Sequence, residues 1–256
     1  MGKIEPRAVT PQLNTTFLAF DIWGDFAHFK KFYTTSSPLT FCIPTPTALY
    51  GILSAILGFD KKEYTNFINA DSTTLALQVL NPIKKIRTTF NYIDTKNSGS
   101  FYLIKNRTQI KTELLKDPKY RIFANHKDKD IFEKLIYMIK HRKNVYTVSL
   151  GLANMIANFR FVGIYEATPV ENSQCLDSIV LLENVESIDI NVESIDNSKK
   201  QPRFLREKIP INMNTKRVVD VYKDVIVETQ GLRIKGVFKN SYMLEDQTII
   251  SPYNLI

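Results

Sequence analysis

Residues 15–23, TTFLAFDIW, constrain the fold more than any other stretch of the chain. Leu18, Phe20 and Ile22 alternate onto one face, while Phe17, Ala19 and Trp23 fall on the other with Asp21 between them. A strand that is apolar on both faces needs cover on both, so it belongs in the middle of a sheet.

Residues 25–43, DFAHFKKFYTTSSPLTFCI, show no helical repeat and are punctuated by Ser36, Ser37 and Pro38. A long loop inside a compact domain is functional or disordered, and this one is too aromatic for disorder. A helix then starts sharply. Thr45 suits the N-cap and Pro46 the first helical position. Leu49, Ile52, Leu53, Ile56 and Leu57 form the apolar stripe, and Gly58 suits the left-handed position that ends a helix. Ala48, Gly51 and Ala55 form a small-residue strip that would admit a strand or loop at close range.

Further strands are expected at TTLALQVLN and KKIRTTFNYID. NSGS at 97–100 reads as a turn, and residues 101–125 read as short strands split by Asp117-Pro118. Residues 128–143 carry a helical stripe of Ile131, Leu135, Met138 and Ile139, with Asp128 or Asp130 as its cap. VYTVSLGLANMIANFRFVG reads as strand, glycine turn, strand. The order is that of a split β-α-β unit with a hairpin insertion. The expected fold class is α+β: a ferredoxin-like (RRM-like) domain over 15–168, with a β-hairpin thumb insertion at about 84–124. A smaller β-rich C-terminal portion spans 169–256, where no helix is expected.

The formal net charge is +8, and its placement is uneven. Residues 84–143 carry a net of +10, residues 164–198 carry eight acidic and no basic side chains, and residues 199–256 carry a net of +5. A positive zone of this kind suits a polyanion. The two cysteines and three histidines lie in no ligand spacing, so neither a metal nor a cofactor is expected. The N-terminus has no apolar signal region, Pro6 stands where a myristoylation signal needs Ser or Thr, and no run approaches the ~20 apolar residues of a membrane span. The expectation is a cytoplasmic protein with no membrane partner.

No phosphate-cradling glycine loop, dinucleotide fingerprint, zinc-protease motif or nucleophile elbow is present, and no small-molecule substrate is expected. What remains is metal-independent acid–base chemistry, for which His28, His126 with Lys127, and Tyr50 are the candidates. Binding residues stand out more clearly. An RNA strand needs cations at its phosphates and aromatic faces for its bases. HFKKFY interleaves both as His28, Phe29, Lys30, Lys31, Phe32 and Tyr33, and KKIRTTFNY and FYLIKNR repeat the pattern.

Residues 17–58, FLAFDIWGDFAHFKKFYTTSSPLTFCIPTPTALYGILSAILG, resemble the N-terminal signature of the CRISPR-associated RAMP proteins of the Cas-five family. That signature is a strand, a g-x-f-a-h-F-r-k turn, a loop ending f-x-x-P-x-x-t, and a helix L-x-G-(I/L)-L-x-A-(I/L)-L-G. VYTVSLGLANMIANFRFVG is similar to the family's y-x-v-x-L-G segment, and REKIPINMNTKRVVDVY to its l-P-x-x-m-x-x-x-R element. The pattern looks most like the type I-B branch.

The resemblance implies a crRNA-binding subunit that caps the repeat-derived 5′ handle inside the Cascade surveillance complex of antiviral defence, beside a backbone subunit and the large subunit. It implies that the loop 24–44, with Thr45 and Thr47 at the helix front, lies against the handle. Lys30 and Lys31 would meet phosphates, and Phe29, Phe32 or Tyr50 would stack on bases. On the thumb, Arg87, Lys105 and Arg107 would reach the boundary of handle and guide. In the type I-C branch the corresponding subunit cuts pre-crRNA without metal, using Tyr, Lys and His. Endoribonuclease activity through Tyr50, Lys127 and His126 is therefore the alternative to non-catalytic binding.

Overall fold

A computed structural model describes residues 15–34, 36–93, 107–190 and 201–254. In chain order the strands are β1 (Thr15–Trp23), β2 (Phe26–Ala27), β3 (Thr73–Val79), β4 (Lys84–Ile93), β5 (Arg107–Lys116), β6 (Lys119–His126) and β7 (Asn158–Val170). β8 (Ser173–Leu176), β9 (Val180–Leu181), β10 (Val185–Ile188), β11 (Phe204–Met213), β12 (Val219–Glu228), β13 (Ile234–Phe238), β14 (Ser241–Leu244) and β15 (Ile249–Ile250) follow. Among the described residues there are two α-helices, α1 (Pro46–Leu57) and α2 (Lys129–Lys140). None of the described helices is long and apolar enough to cross a membrane.

The mixed α+β class expected from the sequence is what the chain adopts, with strands predominating. β1 is central in a six-stranded sheet of order β15-β14-β7-β1-β6-β3. It pairs antiparallel with β6 on one side and β7 on the other, and β3 pairs antiparallel with β6. The β1-α1-β3 crossover therefore straddles β6, and β6-α2-β7 straddles β1. Leu18, Phe20 and Ile22 pack with the apolar stripes of both helices, and Phe17 and Ala19 pack with Phe123, Ala167, Leu244 and Ile250 on the opposite face. Asp21 is buried on that second face. It accepts from Arg121 Nε at 2.8 Å and from Arg160 Nη2 at 3.3 Å, which answers the cost of placing a charge in a central strand.

α1 forms as its sequence demands. Thr45 Oγ1 accepts from the Ala48 amide, Pro46 occupies the first turn, and Gly58 takes φ 88° just past the end. Leu49, Ile52, Leu53, Ile56 and Leu57 are all buried. Each such side chain contributes about 1.5–3 kcal/mol of transfer free energy. The stripe packs on β1, and Ile209 and Ile211 of β11 join the same cluster, so α1 is sandwiched between the sheet and the C-terminal portion. That portion also adds β14 and β15 to the main sheet through pairing of β14 with β7.

Two expectations are corrected. The hairpin insertion is β4 paired with β5, from Lys84↔Lys116 to Ile93↔Arg107, and ends before 124. Asp117 at φ 51° and Pro118 turn the chain back, and Lys119–His126 is a central strand because Tyr120, Ile122, Phe123 and Ala124 are buried. The strand expected over 145–150 is a loop with a single bridge, Ser149↔Ile156. The Leu150 carbonyl is taken by the amide of His28, outside any ladder.

Candidate nucleic-acid interface

The loop between β2 and α1 folds back on itself. Phe41 N–H donates to the Phe29 carbonyl at 2.8 Å, Lys31 N–H donates to the Leu39 carbonyl at 2.9 Å, and Lys30 bridges Thr40. Phe29 N–H donates to Thr40 Oγ1. This local zipper lets a loop without helix or ladder satisfy its buried backbone groups. It also fixes which side chains point inward.

A groove of about 700 Å³ opens where this loop meets α1. Its floor is the outer face of α1, from Thr45 through Ala48 and Gly51 to Ala55. A Cβ on Gly51 would meet nothing within 4 Å. At Gly51 the small-residue strip borders open space, while the loop at 145–146 approaches its Ala55 end, where the Tyr146 amide donates to the Ala55 carbonyl at 3.0 Å. One wall is the loop, with Lys30 and Phe32. The others are Tyr92 and Thr112 of the β4–β5 hairpin, the segment 147–152, and Pro210, Met213, Arg217, Val219 and Tyr222 around the β11–β12 turn. Among the described residues no carboxylate lines the groove. Lys30 and Arg217 are exposed there, and no ion pair is formed by either among the described residues.

The residues singled out in the sequence distribute unevenly around this groove. His28, Phe29, Lys30, Phe32, Thr45 and Thr47 border it. Phe32 is 54% exposed and tilts against Tyr222 with ring centroids 4.9 Å apart. Thr45 and Thr47 are buried and share a 3.0 Å hydrogen bond, so they serve the helix cap first. Arg87 and Arg107 are exposed on the hairpin outside the groove, and Lys105 lies outside the described residues.

Four assignments are corrected. Phe29 is 4% exposed and Tyr50 2%, so neither ring has a free face for stacking on a base. His28 is buried and its Nδ1–H donates to the Glu113 carbonyl at 2.8 Å, tying the loop to β5. The Lys31 ammonium is paired with Glu207 Oε1 at 2.6 Å and its side chain is only 14% exposed, so it turns inward and does not line the groove as Lys30 does. Burial works against the charge of Lys31, but the hydrogen bond and attraction of Glu207, with a smaller part from Tyr33, outweigh it and hold the lysine above its ordinary range.

Of the acid–base candidates only His28 borders the groove; Tyr50, His126 and Lys127 do not. His126 is buried at the entrance to α2; its Nδ1 accepts from the Asp128 amide at 3.0 Å and its Nε2–H donates to the Phe67 carbonyl at 3.0 Å. Both nitrogens are engaged, and neither His126 nor the exposed Lys127 borders the groove. Burial, with a lesser push from Asp71, raises the Tyr50 phenol far above its usual range, and its hydroxyl has no hydrogen-bond partner among the described residues. A buried, unpartnered hydroxyl costs free energy in the folded state. Tyr50→Phe should therefore leave stability unchanged or raise it by up to about 1 kcal/mol, read as the urea midpoint of the two proteins. A large loss would show that the hydroxyl has a partner.

Several groove residues escaped the residue-by-residue reading of the sequence, yet a signal existed for most. Pro210, Met213 and Arg217 are three of the four specified positions of the l-P-x-x-m-x-x-x-R element, and those three line the groove. Gly151 is the glycine of the L-G segment. It has φ 97°, and a Cβ there would lie 1.9 Å from the His28 carbonyl oxygen. Only glycine lets the loop dock at this place.

Comparison with known proteins completes the description. A family model described as "CRISPR-associated protein (Cas_Cas5)" matches residues 17–209. A solved chain of a "CRISPR RNA-guided surveillance complex" superposes with a TM-score of 0.51 at 11% identity, over 86% of this chain and 91% of its own. A CRISPR protein from Archaeoglobus fulgidus gives a TM-score of 0.51 at 15% identity, over 94% of this chain and 100% of its own. At such identities the likeness is one of fold. No curated protein matches the sequence.

Proposed function

The chain belongs to the Cas5 family of CRISPR-associated proteins, and on that premise we propose that it binds crRNA without cutting it, holding the repeat-derived 5′ handle in a type I-B Cascade complex beside the backbone and large subunits. The observation that carries this reading is the groove over α1. Two unpaired cations, Lys30 and Arg217, face it with no competing carboxylate among the described residues, and Phe32, Tyr92 and Tyr222 stand at its walls. Phosphates are drawn to such cations, unstacked bases to such rings, and the capped front of a helix favours negative charge. The β4–β5 hairpin adds Arg87 and Arg107 on an exposed arm, where the thumb would meet the start of the guide. The interleaved crossovers around β1 and β6 support the ferredoxin-like reading of the main sheet. A cytoplasmic setting follows from the role.

The groove floor gives a test that leaves the fold intact. Gly51 is a helix-interior glycine facing open space, so Gly51→Leu should hold or raise the melting temperature, because glycine costs a helix about 1 kcal/mol relative to good helix formers. The same change puts a bulky side chain on the floor and should lower affinity for single-stranded repeat RNA at least tenfold, read by fluorescence anisotropy. Lys30→Ala should weaken binding and lower the slope of log K against log salt by roughly 0.7, as expected for one phosphate contact on a single strand. Binding that ignores Gly51→Leu would remove the groove from the reading.

Non-catalytic binding has its own check. Repeat RNA incubated with the protein in EDTA should stay intact. Cleavage that disappears in His126→Ala would make the chain a metal-independent endoribonuclease instead.

A further inference from the structure

Glu207 is a buried carboxylate that none of the preceding roles explains. It sits on β11, 176 residues from Lys31, and grips both limbs of the loop at once. Oε1 accepts from the Lys31 ammonium at 2.6 Å on the outgoing limb, and Oε2 accepts from the Cys42 amide and thiol at 3.1 Å each on the returning limb. The Lys31 ammonium also lies over the Phe41 ring, 5.4 Å from its centroid. From Glu207 the strand runs on through Pro210 and Met213 to the turn that carries Arg217 and back to Tyr222, all of which line the groove. Tyr222 meets Phe32 at the rim. The loop and the β11–β12 hairpin are thus joined at the base by the Glu207 carboxylate, through its ion pair with Lys31 and its hydrogen bonds from Cys42, and at the rim by the contact of Phe32 with Tyr222.

We propose that Lys31 and Glu207 form a latch that holds the β11–β12 hairpin as a wall of the groove, and that this places Arg217 to bind an RNA phosphate opposite Lys30. The RNA in this proposal rests on the crRNA-binding reading. Glu207 is a positioning residue; Arg217 is the residue that touches ligand. Arg217 suits that task because it is exposed at the groove, forms no ion pair among the described residues, and presents a planar fork that matches phosphate oxygens. The buried carboxylate is the wrong sign for RNA contact. Its partners are instead the two limbs of the loop, Lys31 on one and the Cys42 amide on the other.

The test uses the full chain and single-stranded CRISPR repeat RNA. Glu207→Gln should weaken RNA binding about tenfold and lower the salt slope by roughly 0.7, because the wall that holds Arg217 against its phosphate is released. If Lys31 were instead a phosphate ligand, removing the competing carboxylate would tighten binding, and that result overturns the latch. Lys31→Met combined with Glu207→Gln should be no weaker than the worse single variant, whereas additive losses count against a shared latch. Arg217→Gln should lower the salt slope by roughly 0.7; an unchanged slope overturns its role.

Hydrogen exchange on the free protein separates the latch from the RNA reading. In Glu207→Gln the amides of Lys31, Phe41 and Cys42 should exchange faster, and unchanged protection overturns the latch whether or not RNA binds. Faster exchange in a chain whose wild type ignores RNA supports the latch while overturning both the role of Arg217 and the crRNA-binding reading.

Discussion

Gly151→Ala should destabilise the protein by about 3 kcal/mol or more. The added methyl would stand 1.9 Å from the His28 carbonyl oxygen and 2.7 Å from its carbon, both backbone atoms, at a φ of 97° that an L side chain avoids. Neither partner can yield cheaply. The His28 amide donates to the Leu150 carbonyl at 3.0 Å, and the His28 ring is tied to Glu113. Relief of the clash must therefore push the loop off the 147–152 segment, which is one wall of the groove. For a chain of this size such a loss corresponds to a melting temperature lower by roughly 6–12 °C. RNA affinity should fall further than the unfolded fraction accounts for. Differential scanning calorimetry with an anisotropy titration at a temperature where the variant is folded checks both parts. A variant that melts with the wild type would place the loop elsewhere.

Tyr253→Ala should cost about 3–5 kcal/mol, the usual range for deleting a large buried aromatic side chain. Tyr253 is 1% exposed, and its amide donates to the Leu75 carbonyl at 2.9 Å, so the segment after β15 covers the outer edge of β3. Burial, and then the nearby Cys42, Tyr50 and Tyr120, drive its phenol well above the usual tyrosine range. The hydroxyl has no hydrogen-bond partner among the described residues, so its contribution differs in sign from that of the ring. Tyr253→Phe should match or exceed wild-type stability while Tyr253→Ala falls far below it. Equilibrium unfolding in guanidinium of the three proteins decides the matter; equal losses in both variants would mean that the hydroxyl, not the ring, is the anchor.

The elements that could be read from the sequence were those whose causes are local. The cap of α1 needs only Thr45, Pro46 and Gly58, all within one short stretch, and each acts there as its chemistry requires. β1 announces its central place by being apolar on both faces, and its Asp21 exception is met by arginines on the two strands beside it. The β4–β5 hairpin was legible from alternation, but its end was not. Nothing local distinguishes a third hairpin strand from a return to the main sheet, and the burial of Tyr120 and Ile122 beneath the helices is a tertiary fact.

The loop shows the same division more sharply. HFKKFY reads as a row of interchangeable cations and rings, yet the fold gives each a different task. Lys30 faces the groove and Lys31 an inner carboxylate, while Phe32 sits at the rim and Phe29 in the core. Residue type was visible; the direction of each side chain was set by the loop zipper and by Glu207 on a distant strand. The charge blocks behave likewise. Asp177, Glu183 and Glu186 of the acidic stretch pair with Arg233, Lys223 and Lys239 of the basic C-terminal one, so part of the apparent segregation is cancelled by contact.

Residue order alone was enough to settle the α+β class, the capped helix behind a long basic loop, and membership of a CRISPR-associated family. These follow from hydrophobic period, capping chemistry and motif spacing, which act over a few residues. The groove is a different matter. Its floor, its walls and the pairing that removes Lys31 from the surface arise where α1 meets chain more than a hundred residues away. Partners at that separation are chosen by packing and charge in three dimensions, and no local pattern encodes them.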